Sequence, residues 1–231
     1  MGPSGTGKSL AAKVIASVLG FPLLRLDFAS LKDPYVGQSG ERIRHACSLI
    51  DAVSPVVVFM DEIEKAVAGV HSSSRTNGGA TASMFGLFLS WLEESKTLKY
   101  LVATCNDIEE LLTASQGALI RRFDDIFFLD LPIDEERKSI LNIMNSRYKS
   151  EIPVELTSRM VNWTGAEIEK FVKASVFDGI EEAFINTKPI YEQNRDVIER
   201  TREWARLNAR LANGSEDSAS SAKKTATRRI A

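Results

Sequence analysis

The chain has 231 residues, 44% hydrophobic and 26% charged, proportions of soluble globular proteins that exclude collagen-like and wholly disordered classes. Its 29 Lys and Arg against 31 Asp and Glu leave a formal charge of -2, which argues against a surface built throughout to hold nucleic acid or anionic lipid. No apolar run reaches the roughly 18–20 residues that span a bilayer, the amino terminus lacks signal-peptide grammar, and Cys47 and Cys105 have no metal-ligand spacing. A cytoplasmic protein with no membrane partner and two buried, unbridged cysteines is the expectation.

The first element carries the most information. Gly2-Pro3-Ser4-Gly5-Thr6-Gly7-Lys8-Ser9 fits the pattern G-x-x-x-x-G-K-[ST] at every defined position, the Walker A or P-loop. Glycines let successive N–H groups point at phosphate oxygens, and the helix that follows adds its positive dipole end. Nucleotide contacts are therefore expected from Gly2 through Leu10, with Lys8 reaching the β- and γ-phosphates of ATP and Ser9 taking a Mg²⁺ position. The helix is expected over residues 9–19, with Leu10, Val14 and Val18 at helical spacing and Gly20 as terminator.

Phe21 to Phe28 reads as a strand and Ser39 to Val53 as a helix. Pro55-Val56-Val57-Val58-Phe59-Met60 is the continuous apolar run of a strand buried on both faces of a parallel sheet. It delivers Asp61 and Glu62 at its carboxyl end, where ligands bind in open α/β sheets. Asp61 is assigned to Mg²⁺ and Glu62 to orienting and deprotonating a water, the Walker B pair. Residues 69–79 form a polar insertion, and a helix over 80–94 presents Met84, Phe85, Leu87, Phe88, Trp91 and Leu92. Strands follow at about 99–105 and 125–130, an alternation that predicts a three-layer α/β domain. After Pro132 the strands are expected to stop, and helices run from Asp134 to about 212. Trp91, Trp163 and Trp204 are assigned to packing, and His45 and His71 form no constellation. The tail, 213–231, is of a composition that predicts disorder.

These motifs resemble the AAA ATPases. Beyond the two Walker segments, Leu101-Val102-Ala103-Thr104-Cys105-Asn106, Ala118-Leu119-Ile120-Arg121-Arg122-Phe123-Asp124 and Leu129-Asp130-Leu131-Pro132 are similar to the second region of homology of that family. The resemblance implies that Asn106 is a sensor helping to place the hydrolytic water. It further implies that Arg121 and Arg122 are arginine fingers in the Arg-Arg-Phe form of katanin- and spastin-like members. Trp163-Thr164-Gly165-Ala166-Glu167 resembles the signature opening the lid helix, with no arginine at that turn. Asp33-Pro34-Tyr35-Val36-Gly37 resembles a pore loop, in which Tyr35, Val36 and Gly37 would grip a protein substrate, and the insertion at 69–79 falls where a second pore loop belongs. Short strings, among them Leu24-Arg25-Leu26-Asp27 and Arg202-Glu203-Trp204-Ala205, resemble AAA proteins encoded in plastid genomes and cyanobacteria, which would make the plastid stroma an alternative location.

The implied organisation is a nucleotide-binding α/β core over 1–132, a helical lid over 133–212 and the tail. Fingers that complete a neighbour's site require a homo-oligomer, and the resemblance implies a ring, commonly a hexamer. Three readings are weighed: a protein-remodelling ATPase, a P-loop motor acting on nucleic acid, which the charge balance disfavours, and a fragment with weak nucleotide binding that serves as an interaction module. The last arises because the central strand expected before a P-loop is absent ahead of Gly2, which would impair the site if the chain began there.

Overall fold

In the computed structural model the chain is described over residues 1–31, 38–67, 78–115 and 117–212, with backbone alone for residues 29 and 78–81. These residues divide into two compact units, one of Met1 and Lys8–Asp124, the other of Gly2–Gly7 and the segment from Asp125 onward. The division differs from a cut after residue 132: Gly2–Gly7 and the segment 125–132 group with the carboxyl-terminal helices, through backbone bonds set out below.

The first unit is built on a parallel sheet. Its elements are α1 (Lys8–Leu19), β1 (Leu23–Arg25), α2 (Phe28–Leu31), α3 (Gln38–Val53), β2 (Val56–Met60), α4 (Ile63–Val67), α5 (Gly78–Glu94), β3 (Lys99–Ala103), α6 (Ile108–Ser115) and a 3₁₀ turn at Ile120–Arg122. The sheet order is β1-β2-β3, with Leu24 opposite Val58 and Val58 opposite Leu101. Every residue of β2 is buried, as a continuous β-branched and aromatic run in a central parallel strand requires. Helix α3 contacts both β2 and α5, and buried in this unit are Ile43, Cys47 and Ile50 of α3 and Met84, Phe85 and Phe88 of α5, with Phe28 edge-on to Phe88 at 5.0 Å. Each such buried side chain is worth about 1.5–3 kcal/mol relative to exposure. Both cysteines are free and buried, as expected.

Several boundaries depart from the sequence reading. The first strand has three residues instead of eight, because Phe28 already opens α2. Helix α1 forms where predicted, but its buried stripe is Lys8, Ala12 and Ala16, while Leu10, Val14 and Val18 are exposed. Both stripes have i, i+4, i+8 spacing and differ by two residues, about 200° around the helix. The period was legible and the phase was not: the small alanines let α1 lie close against β2.

The second unit contains β4 (Phe127–Phe128), α7 (Asp134–Tyr148), a 3₁₀ helix (Val154–Arg159), α8 (Gly165–Asp178), α9 (Ile180–Asn186), α10 (Ile190–Asn208) and β5 (Arg210–Leu211). Its core is Leu141, Ile152, Met160, Trp163, Ile168, Phe171, Val172 and Ala183, with Trp163 edge-on to Phe171 at 5.7 Å. Two expectations are corrected here. The strand predicted at 125–130 is two residues long and pairs with β5, not with the three-stranded sheet. Nor do strands stop at Pro132, since β5 follows α10, its Arg210 N–H donating to the Ile126 carbonyl and the Ala212 N–H just beyond it to that of Phe128. Arg202 of α10 ties the same segment down, its guanidinium donating to both Asp130 oxygens at 2.8–2.9 Å.

Candidate nucleotide site

The second unit holds the glycine-rich loop. Gly2, Gly5 and Gly7 have φ of +145°, +85° and +94°, conformations that L side chains rarely adopt. Space explains two of them further. A Cβ on Gly2 would lie 2.0 Å from the Leu129 carbonyl oxygen, and one on Gly5 would lie 2.7 Å from Thr164 Oγ1. Within the loop Thr6 Oγ1 donates to the Pro3 carbonyl at 2.9 Å, and Pro3 is buried while Ser4 is exposed.

What the loop rests on is the start of α8. Thr164 is the N-cap: its Oγ1 accepts the Glu167 N–H, and the Glu167 carboxylate accepts the Thr164 N–H at 2.7 Å, a capping box. The next free N–H of that turn, on Ala166, donates to the Gly5 carbonyl at 3.2 Å. The other Glu167 oxygen accepts the N–H of Ile190, the first residue of α10. The Gly-Ala-Glu segment thus opens a helix where the sequence placed one.

In the first unit several side chains singled out from the sequence converge at the carboxyl ends of β2 and β3. The register sets Met60 opposite Ala103, so the next residues, Asp61 and Thr104, emerge side by side. Ser9 Oγ donates to Asp61 Oδ1 at 3.0 Å, and Thr104 Oγ1 donates to the same oxygen at 2.6 Å. Asp61 Oδ2 lies 3.8 Å from Arg25 of β1. Asn106 Nδ2 donates to Glu62 Oε1 at 2.9 Å, and the exposed Lys65 pairs with Glu62 Oε2 at 2.5 Å. Glu62 itself has φ +50°, a left-handed conformation that is costly for a residue with a side chain.

Ser9, Asp61, Glu62 and Asn106, singled out from sequence, are therefore in one hydrogen-bonded cluster. Lys8 is 8% exposed; burial lowers its pKa to about 8, against an opposing pull from Glu64, Cys105, Asp61 and Glu62. Two members were missed. Glu64, 1% exposed, accepts the Asn106 backbone N–H at 3.0 Å through Oε1, and its Oε2 has no hydrogen-bond partner among the described residues. Thr104 is the other. Glu64 could have been flagged as an acidic residue on the apolar side of α4; Thr104 needs the β2–β3 register, which no single strand encodes. Burial, then the neighbouring Glu64, pushes the Cys105 thiol pKa well up, so that it is an inert hydrophobe.

The donor set suits a small hard cation. Ser9 Oγ and Asp61 Oδ1 are 3.0 Å apart, the separation of adjacent oxygens around an octahedral ion with bonds of about 2.0–2.1 Å. Among the described residues no group of three or more His, Cys, Asp or Glu could cage a metal.

The remaining predicted residues lie elsewhere. Leu10 is 63% exposed on α1. Arg121 and Arg122 occupy the exposed 3₁₀ turn that ends the first unit, with Arg122 ion-paired to Glu93 of α5. Tyr35, Val36, Gly37, most of the 69–79 insertion and the tail lie outside the described residues. No helix among the described residues is long and apolar enough to cross a membrane.

The chain is similar to known proteins in both sequence and fold. Residues 1–131 match the model of the ATPase family associated with various cellular activities, AAA. The chain is 36% identical over 221 residues to an AAA domain-containing protein of Pyropia yezoensis named ycf46, covering 89% of this chain and 44% of that protein. It is 28% identical over 215 residues to the ATP-dependent zinc metalloprotease FtsH of an aster yellows witches'-broom phytoplasma, covering 90% of this chain and 31% of that one. Among solved structures, the AAA domain of FIGL-1 superposes with a TM-score of 0.70 at 20% identity over 90% of this chain and 76% of that one, and its complex with ADP with a TM-score of 0.62. The chain thus spans less than half the length of the curated relatives it matches. Carrying the family's model over more than half of its residues and the family's parallel α/β fold with a helical carboxyl-terminal unit, the chain belongs to the AAA family.

Proposed function

We propose that this protein binds and hydrolyses ATP with Mg²⁺, and that it does so as a homo-oligomeric ring that remodels or threads protein substrates. The observation that carries the hydrolytic part is the cluster at the ends of β2 and β3, in which Ser9 meets Asp61 and Asn106 meets Glu62. ADP in the FIGL-1 relative and the ATP dependence in the name of FtsH support the nucleotide class.

In this reading the loop Gly2–Gly7 offers N–H groups to the phosphates and Lys8 neutralises the β- and γ-oxygens. Ser9 and Asp61 hold Mg²⁺, which when bound offsets the phosphate charge. Glu62 accepts a proton from water as its oxygen attacks the γ-phosphorus and the bond to the β–γ bridging oxygen breaks; the electron pair leaves with ADP. Asn106 fixes one Glu62 oxygen, so that the carboxylate presents the other to the water once the exposed Lys65 swings away. Burial favours the uncharged form of Lys8, and an arriving polyphosphate reverses that preference.

Arg121 and Arg122 are assigned to a neighbouring copy's site, and Tyr35, Val36 and Gly37 to contact with a protein substrate. Exposure of the arginine turn at the end of the first unit is consistent with use in trans. A mixing experiment tests the oligomeric claim. Glu62→Gln protein should hydrolyse ATP about 10²–10⁴-fold below wild type, and Arg121→Ala/Arg122→Ala protein about 10³–10⁵-fold below it. Mixed, they should regain a substantial fraction of wild-type turnover, because fingers from the first complete sites in the second. An unchanged sum of the two rates would contradict action between copies.

A further inference from the structure

Thr104 lies outside the Walker and sensor positions, yet it is the residue on which the carboxylate turn closes. It is 3% exposed, and each of its polar groups is spent on one of the four residues from Met60 to Ile63. Its N–H donates to the Met60 carbonyl at 2.9 Å and its carbonyl accepts the Ile63 N–H at 2.9 Å. Its Oγ1 accepts the Glu62 N–H at 2.9 Å and donates to Asp61 Oδ1 at 2.6 Å.

The backbone pair would form with any residue at this position except proline. The hydroxyl pair would not. A hydroxyl has one proton and two lone pairs, so once Oγ1 accepts from Glu62 N–H its proton is free for a single acceptor, and the nearest is Asp61. One atom therefore sets two things together: the carboxylate orientation of Asp61 and the left-handed backbone at Glu62, φ +50°. A carboxylate on a turn that relaxed from that conformation would swing its acceptor away from Asn106 Nδ2.

We propose that Thr104 is a positioning residue for hydrolysis, its hydroxyl holding Glu62 in the left-handed turn and orienting Asp61 toward Ser9. The inference rests on the hydrolytic reading above and adds to it a residue that acts through two others without touching nucleotide.

The test is steady-state ATP hydrolysis by the intact protein with Thr104 as Val, which keeps the shape and loses the hydroxyl, and as Ser, which keeps the hydroxyl. Thr104→Val should lower kcat by about 10–100-fold, the usual effect of removing a partner that orients a ligand or base. KM for ATP should stay near its wild-type value, because the phosphate loop is untouched, and Thr104→Ser should restore kcat. If Thr104→Val does not fold, Thr104→Cys, of similar size with a weak donor, carries the same expectation. A wild-type kcat in Thr104→Val or Thr104→Cys would overturn the positioning role and leave ATP hydrolysis standing. So would a parallel rise in KM and fall in kcat that serine does not restore, since that is the mark of damaged scaffold. A folded wild-type protein that binds but never cleaves ATP would instead overturn the hydrolytic reading, and the role of Thr104 with it.

Discussion

The two units carry their candidate features in opposite ways. In the first these are side chains: Ser9, Asp61, Glu62, Thr104 and Asn106 form one chain of hydrogen bonds of 2.6–3.0 Å. In the second they are positions that lack a side chain. Gly2 and Gly5 sit where a Cβ would strike the Leu129 carbonyl and Thr164 Oγ1, and the Gly5 carbonyl is taken by the first turn of α8. Side chains can be aimed only when the backbone beneath them is fixed, whereas a phosphate cradle needs backbone aimed with nothing in front of it. The first unit therefore tolerates a strained Glu62 and spends Thr104 to hold it, while the loop Gly2–Gly7 meets its positive φ values with glycine.

A direct way to break the second half of this contrast is to add a methyl group. Gly5→Ala and Gly7→Ala meet the same unfavourable backbone, with φ near +90°, but only Gly5 has close neighbours; a Cβ on Gly7 would meet nothing within 4 Å. Gly7→Ala should cost about 1 kcal/mol in urea unfolding, and Gly5→Ala about 2–3 kcal/mol, the excess coming from the seat on α8. Equal costs would mean that the α8 contact does not matter.

A smaller effect sharpens the first half, by asking whether any dense side-chain network in that unit would do. Asp51 of α3 accepts hydrogen bonds from Trp91 Nε1 at 2.8 Å, Ser95 Oγ at 2.7 Å and Thr97 Oγ1 at 2.6 Å. Burial alone would raise its pKa; the three hydrogen bonds outweigh that and hold it below the usual 3.8. Because the folded value is the lower one, the stabilisation is full above the unfolded pKa and is lost as pH falls through the folded value. Asp51→Asn should therefore cost about 1–2 kcal/mol at neutral pH. The gap from wild type should narrow below about pH 4. Urea unfolding across that range, read by circular dichroism, checks both. Hydrolysis per folded molecule should not change, since this network holds no reacting group.

Much of this was legible in the sequence, for physical reasons that also explain the misses. β2 announced itself because a strand buried on both faces is apolar at every position, and the turn after it could be read because charge follows that run abruptly. The glycine loop could be read because positive φ restricts residue type so severely. β4 could not be placed, since two residues carry no period and its partner β5 lies more than eighty positions away. α1 shows the same limit: spacing gives two stripes on opposite faces, and only the approach to β2 decides that alanines face inward. Thr104 is informative only beside Asp61, and that adjacency belongs to the register of two strands.

The central claim is that the side-chain cluster of the first unit cleaves ATP and that Glu62 takes the proton. Single-turnover cleavage of labelled ATP with Mg²⁺, using wild-type and Glu62→Gln proteins at saturating concentration, tests it most directly. The amide keeps the size of the carboxylate and removes the base. Cleavage should fall by about 10²–10⁴-fold while ATP affinity changes little. Cleavage by Glu62→Gln at the wild-type rate would contradict the account.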